Sequence, residues 1–381
     1  MLLYLRNLFV LLGFCASTML WGQDLSVVHD AIERGDYAFA KAQLDKLEAS
    51  WASAQAKAQL DKLEAGWTAA QAKAQLDKTE AGETKDEVAS IAQGQVNNGP
   101  AQQSAGFSKK STLTKSDEIK ELRADLMGVN REYKKAAASY KDLLKRYPTD
   151  ADLHFKCGGA LGLYAQANKA KALFLLDDIK FHLKEAVRLD PKHINAHWAL
   201  VQLYVELPGI VGGSMSTAKD YAQLLMKISP VDGHLALAYV YEEDDEPSLA
   251  ETHYQKAVNR GKSVTTVHKL ADFYQGQSRP EAAMLALKHW CEYLNDNSLC
   301  YRVGDVSALY GVRMDSGIEC LHHFLKRYEA GSEVSRAAAY YRLARLHKKK
   351  GDYETARSWI TKALEDEPRN QDYLALQKEL G

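Results

Sequence analysis

Two stretches of the 381-residue sequence place reactive residue types close together. His193 and His197 stand four apart, a spacing that on one helix face offers two imidazoles to a metal. Pro191 lies just before them at the helix start, and no carboxylate or third ligand is spaced to complete a site, so no metal is expected. LPGIVGGSMSTAK (Leu207–Lys219) is rich in glycine and leads into a helix, which superficially suits an anion held on backbone N–H groups. It lacks the Lys-Ser/Thr ending of a nucleotide loop and follows no strand. It reads as a turn, with Ser214 or Ser216 capping the next helix. His322 and His323 are adjacent and diverge on a helix. The acidic run Glu242–Glu246 reads as a solvated inter-helix tip. Lys348, Lys349 and Lys350 end a helix, where positive charge complements its dipole. No Gly-x-Ser-x-Gly, His-Glu-x-x-His or kinase-like pattern is present. No catalytic constellation, cofactor site or metal site is expected, and the chain reads as a non-enzyme.

The elements that carry these residues are repeats. In the C-terminal stretch, Tyr340, Tyr341, Leu343, Ala344 and Leu346 recur at helical spacing. Gly351-Asp352-Tyr353 breaks and restarts the helix, and Ala356, Trp359, Ile360, Ala363 and Leu364 form a second apolar stripe that Pro368 ends. The small alanines let two helices approach closely while bulky neighbours fill the flanking gaps. The skeleton returns at Arg34–Ala49 and Asn130–Pro148. Upstream units hold Val267, Leu270, Ala271, Tyr274, Ala283, Leu287 and Trp290, and before them His234, Leu237, Ala238, Tyr241, Ala250, Tyr254 and Ala257. Ala250, Ala283 and Gly317 follow one another at about 34 residues. A unit at Trp198–Pro230 is stretched in its turn, and one near Leu153–Pro191 is stretched more.

This pattern resembles the tetratricopeptide repeat. The resemblance implies an all-α solenoid: antiparallel helix hairpins stacked into a right-handed superhelix, with about seven units over 117–370 and a capping helix over 371–381. It also implies that one stripe of each first helix lines a concave groove and contacts partner peptides. In this sequence that stripe offers Tyr239, Glu242, His268, Asp272, Arg302, Tyr341, Arg345 and Lys348, acidic in the middle and basic near the C-terminus. The Lys/Asn carboxylate clamp of chaperone-binding relatives is not reproduced. The expected partner is a protein or peptide, and the alternative is a ligand-binding or transporter-accessory component with a pocket near Leu207–Ser214. A formal net charge of -1 argues against nucleic acid as partner.

The ends of the chain read differently. Residues 1–22 carry Arg6 and the apolar run Leu8–Phe14, the layout of a secretory signal peptide, with an uncleaved membrane anchor as the alternative. A periplasmic or secreted protein follows, with no membrane span once the signal is removed. In that oxidising setting Cys157, Cys291, Cys300 and Cys320 form an even set. Cys291 and Cys300 fall where consecutive repeats touch, so a disulfide between them stands beside separate buried thiols as the reading. Residues 23–81 hold a partial repeat and three 16-residue copies beginning at Ala40, Ala56 and Ala72. Residues 82–116 read as a flexible linker that tethers this part loosely to the rest.

Overall fold

A computed structural model of the chain describes residues 27–28, 31–32, 34–46, 113–330, 332 and 334–381. The signal-like segment, the second and third 16-residue copies and nearly all of the expected linker lie outside the described residues. Every regular element among those described is helical. After a helical stretch at 37–46 come α1 (Lys115–Val129), α2 (Tyr133–Leu144), α3 (Ala151–Ala167), α4 (Lys169–Leu189) and α5 (Ile194–Glu206). A 3-10 turn (Gly209–Val211) leads to α6 (Met215–Ile228), α7 (Pro230–Glu243), α8 (Pro247–Gly261), α9 (Val264–Gly276) and α10 (Pro280–Leu294). The chain closes with α11 (Asn297–Tyr310), α12 (Met314–Lys326), α13 (Arg336–Lys349), α14 (Tyr353–Asp366) and α15 (Gln371–Leu380). Two compact units divide at Ala196/His197. Unit 1 contains α1–α4, and unit 2 contains α6–α15 and the greater part of α5. In class the protein is an all-α solenoid of helix hairpins.

Helix starts follow from local chemistry. Asp150, Ser214, Ser229, Ser263, Asp296, Ser335, Asp352 and Asn370 each accept a hydrogen bond from a backbone N–H of the first turn. Each such cap is worth about 1 kcal/mol. Thr114 caps α1, which starts at Lys115 inside the expected linker. Asp117 of that first turn is fully buried and takes hydrogen bonds from the Thr114 and Tyr147 hydroxyls at 2.7 and 2.8 Å. Burial pushes its pKa up, but those hydrogen bonds and the Arg146 and Lys120 charges leave it below the ordinary carboxylate value.

One register recurs inside the hairpins. The turn residue takes a left-handed backbone at Gly35 (φ 75), Arg131 (φ 63), Asp245 (φ 59), Ser278 (φ 56) and Gly351 (φ 82). Five residues after each stands an alanine with no exposed surface: Ala40, Ala136, Ala250, Ala283 and Ala356. The turn thus aims the second helix so that a small side chain meets the first helix. The first helices answer with their own small residues, Ala124, Gly158, Ala238, Ala271, Gly304 and Ala344. At Gly304 a Cβ would overlap the Leu321 side chain, and at Gly158 one would lie 2.9 Å from Leu183 Cγ. Close helix approach is built from this contact, and fully buried Leu225, Leu287, Leu299, Leu321, Leu343 and Leu346 fill the space around it in unit 2. Each contributes roughly 2 kcal/mol by leaving water.

Two departures from expectation concern unit 1. The stretch near Leu153–Pro191 is lengthened as helix, not as loop. α3 continues nine residues past Gly158, to Ala167, whereas α7 continues five past Ala238, to Glu243. The N-terminal half of α4 is likewise extended and exposes Leu173 (65%) and Phe174 (85%). The N-terminal part is also not loosely tethered, because Val28, Ala31, Ile32, Ala40 and Leu44 share a core with Ile119, Leu122 and Leu126 of α1. Asp45 accepts from Arg123 at 2.7 Å at its edge.

Candidate functional site

The first helices carry a charged register tied to the small residues just described. An acid stands one position after the small residue, and a base stands two positions before the small residue of the next first helix. In unit 1 Asp125 of α1 meets Lys156 of α3 at 2.8 Å. In unit 2 Asp272 of α9 meets Arg302 of α11 at 2.7 Å, and Asp305 of α11 meets Arg342 of α13 at 2.5 Å. Helical spacing puts these positions on one face of each helix, so successive first helices are stitched along it.

In unit 1 the stitch is closed. Lys156 also donates to Glu121 at 2.7 Å, and the Tyr140 hydroxyl of α2 donates to Asp125 at 2.5 Å. Burial works against the Lys156 charge, yet the two carboxylates raise its pKa above the ordinary lysine value. Burial raises Glu121 despite the Lys156 charge, and burial together with the Asp125 charge raises Tyr140 strongly. Every charge here faces another charge of the same cluster.

In unit 2 the stitch is open at its end. Asp272, Arg302, Asp305 and Arg342 form one ladder, with Arg302 also reaching Asp305 at 3.3 Å. Beyond it the Arg342 and Arg345 guanidinium carbons lie 5.1 and 5.7 Å from the Tyr341 ring centre, which in turn packs on Tyr373 of α15 at 4.9 Å. Among the described residues no carboxylate hydrogen-bonds Arg345. Lys348 donates to Glu379 of α15.

The residues expected to contact a partner are therefore differently occupied. Asp272 and Arg302 neutralise each other, Lys348 is held by the closing helix, and the Tyr341 ring has two guanidinium groups beside it. Glu242 accepts from the Tyr254 hydroxyl at 2.7 Å, and burial raises its pKa despite that bond. Tyr239 and His268 lie half-buried on α7 and α9. Sequence reasoning misses Asp305 and Arg342, although their places relative to Gly304 and Ala344 are readable once Asp272 and Arg302 have been placed.

Other expectations resolve as follows. His193 precedes α5, with Nδ1 accepting from the Ala196 N–H at 3.2 Å and Nε2 3.2 Å from Asp152, so the pair four apart does not share a helical face. No group of three or more metal-ligating side chains occurs among the described residues. The Leu207–Ser214 loop closes on its own backbone: Ser214 N–H donates to Tyr204 at 2.9 Å, and a Cβ at Gly213 would overlap the Leu207 carbonyl oxygen. Its Ile210 side chain is 96% exposed. The acidic run is not a free tip, since Asp244 accepts from Lys219 at 2.6 Å. The three lysines are likewise engaged, with Glu379, the Leu309 carbonyl and Asp315 respectively. Cys291 of α10 is joined to Cys300 of α11, with Cα atoms 5.5 Å apart. Burial pushes the free thiols of Cys157 and Cys320 up to about 12 and about 11. No described helix is long and apolar enough to cross a membrane.

Comparison with known proteins follows the same lines. Residues 337–370, which span α13 and α14, match the family model described as tetratricopeptide repeat. No curated protein shows a matching sequence. Among solved structures, the chain resembles a tetratricopeptide repeat protein from Parabacteroides merdae at 16% identity, over 70% of this chain and 99% of that one, with a TM-score of 0.38. It resembles Tom70 of yeast at 12% identity, over 73% of this chain and 58% of that one, with a TM-score of 0.44. A tetratricopeptide repeat protein of Thermus thermophilus is similar at 18% identity, over 50% of this chain and 98% of that one, with a TM-score of 0.38. Residues 337–370 thus carry a matched tetratricopeptide repeat, and the hairpins before it hold the same turn-and-alanine register.

Proposed function

We propose that the chain is a non-enzymatic scaffold of the cell envelope that holds a protein or peptide partner along the first-helix face of unit 2. The observation that carries this reading is the open end of the ladder. Arg345 is held over Tyr341 with no described carboxylate hydrogen-bonded to it, its charge only adding to that of Lys348 on Glu379, while its neighbours Arg342 and Lys348 are each in an ion pair. A flat cation beside an aromatic ring suits a carboxylate on a partner chain. At the α5 and α7 ends of the same unit, Glu206, Glu242 and Glu243 supply acid, and the burial of Glu206 next to Glu243 raises its pKa. A segment with an acidic end toward α13 and a basic end toward α7 complements this face. The envelope assignment rests on the signal-like residues 1–22. The transporter-accessory alternative has less behind it, because the Leu207–Ser214 loop is filled by its own backbone.

The test is affinity capture from an envelope extract with the mature chain, its R345E variant and a K288E variant on the second helix α10. Partners retained by wild type and K288E but lost with R345E support the face. An identical set of captured proteins for all three defeats it, and co-purification of small molecules alone defeats the scaffold reading.

A further inference from the structure

The two faces of α4 differ in a way that the repeat alone does not require. Ala172, Leu175 and Leu176 are half-buried and Ile179, Leu183 and Ala186 are buried, the spacing of a helix that lies on α3. The opposite stripe is formed by Phe174, Asp177, Phe181, Lys184 and Arg188, all exposed. They follow one another at alternating helical steps, so they make one seam along α4, about 21 Å long. Phe174 is 85% exposed and Phe181 55%, with Leu173 at 65% beside them. A contiguous apolar patch rimmed by charge marks a surface that meets another molecule. On α8, aligned with α4 through the buried Ala257 and Ala186, the last four of these positions hold Ser248, Thr252, Gln255 and Asn259. That is the polar face expected of a helix whose outer side meets only water.

The seam also changes sign along its length. Asp177 and Asp178 stand in its first half, and Lys184 and Arg188 in its second. Asp178 is tied to Lys141 of α2 at 2.6 Å, and Arg188 to Glu185 at 2.7 Å. Asp177 takes part in no hydrogen bond or ion pair among the described residues. Such a seam complements itself when reversed. Laid antiparallel on a second copy, about a twofold axis beside Phe181, Asp177 of each chain stands opposite Lys184 of the other. The two Phe181 rings then meet near the centre, and Phe174 reaches the Arg188 end, where a guanidinium can lie on its ring. Parallel pairing would set Asp177 on Asp177 and Lys184 on Lys184, and like-charge repulsion disfavours it.

We propose that the outer seam of α4 is a homodimer surface, which docks antiparallel on the same seam of a second copy of this chain. The contact is small. A single pair of helices of this length falls at the low end of specific interfaces, so the dimer forms and parts in the micromolar range. The surface belongs to unit 1 alone, and it stands or falls independently of partner capture by unit 2.

The test is sedimentation velocity of the full mature chain from about 1 to about 200 µM, for wild type and for variants at exposed positions. Wild type is expected to pass from monomer to dimer across that range. D177K and K184D each set like charges against each other in the antiparallel pair and should weaken dimerisation at least about tenfold. An equimolar mixture of the two should recover it as a heterodimer. F174S/F181S should stay monomeric with an unchanged helical circular dichroism spectrum, and if that spectrum is lost the charge variants decide alone. A wild-type dimer that the charge variants leave unaltered, or that a folded F174S/F181S still forms, overturns the proposal. So does a wild-type chain that stays monomeric, whether photo-crosslinking from position 173 then reaches the chain's own segment 47–112, another protein or nothing.

Discussion

Unit 1 and unit 2 use the same pair of helix positions for an acid and a base, and they use them to different ends. Around Lys156 the register is closed on itself by Glu121, Asp125 and the Tyr140 hydroxyl, with side-chain exposures of 23% for the lysine and 13% and 22% for the acids. In unit 2 the ladder from Asp272 to Arg342 is more exposed at its start, 48% at Asp272, and it runs out into Tyr341 and Arg345. A charge with all its partners in the same chain specifies how helices pack. A charge at the end of a row is available to something else. The repeat supplies the positions, and the number of acids placed among them decides whether every base of the row is paired within the chain.

Removing the centre of each network separates the two roles. K156M should cost about 3 kcal/mol in urea unfolding, because it leaves Glu121 and Asp125 facing each other with no cation. A loss under about 1 kcal/mol would mean that the unit 1 cluster is as solvated as a surface pair. D305A should cost less, about 1–2 kcal/mol, because Arg302 keeps Asp272 and only Arg342 loses its carboxylate. A loss equal to that of K156M would erase the distinction between the units. R345A should change stability by less than about 0.5 kcal/mol while still abolishing capture of the partner. A larger stability change would make Arg345 part of the packing.

The turns allow a finer comparison at a single position. G351A should cost about 1 kcal/mol, since alanine is strained where φ is 82. S278G, at the matching turn where serine already bears that strain at φ 56, should gain roughly 0.5 kcal/mol. Equal effects of the same sign, read from the shift in thermal midpoint, would show that the turn does not set the register.

Most of the hairpin architecture is legible in the sequence because it rests on residue size, and alanine spacing reports size directly. Ala250, Ala283 and Ala356 are all fully buried where their spacing places them. The turn residue is legible only where it is glycine. At Arg131, Asp245 and Ser278 the same left-handed backbone is borne by residues whose identity does not announce it. Partner residues are harder for another reason. Tyr341 and Arg345 stand where a helical face puts them, but whether a charge is spent depends on contacts between separate helices, such as Asp272 with Arg302. The approach of His234 to His253, Nδ1 to Nδ1 at 3.1 Å, is hidden for the same cause, since the two stand on separate helices. In the sequence His234 shows only as one member of an apolar stripe.

The lengthened α3–α4 hairpin shows what the small-residue contact permits. With Gly158 seated against Leu183, added residues cannot be taken up between the contact and the hairpin's base, so growth is expelled toward the turn as extra helical rungs. Leu173 and Phe174 ride on that outgrowth. Insertions of whole helical turns there should leave the contact itself untouched, and evolution can lengthen such a prong freely where it could not widen the joint.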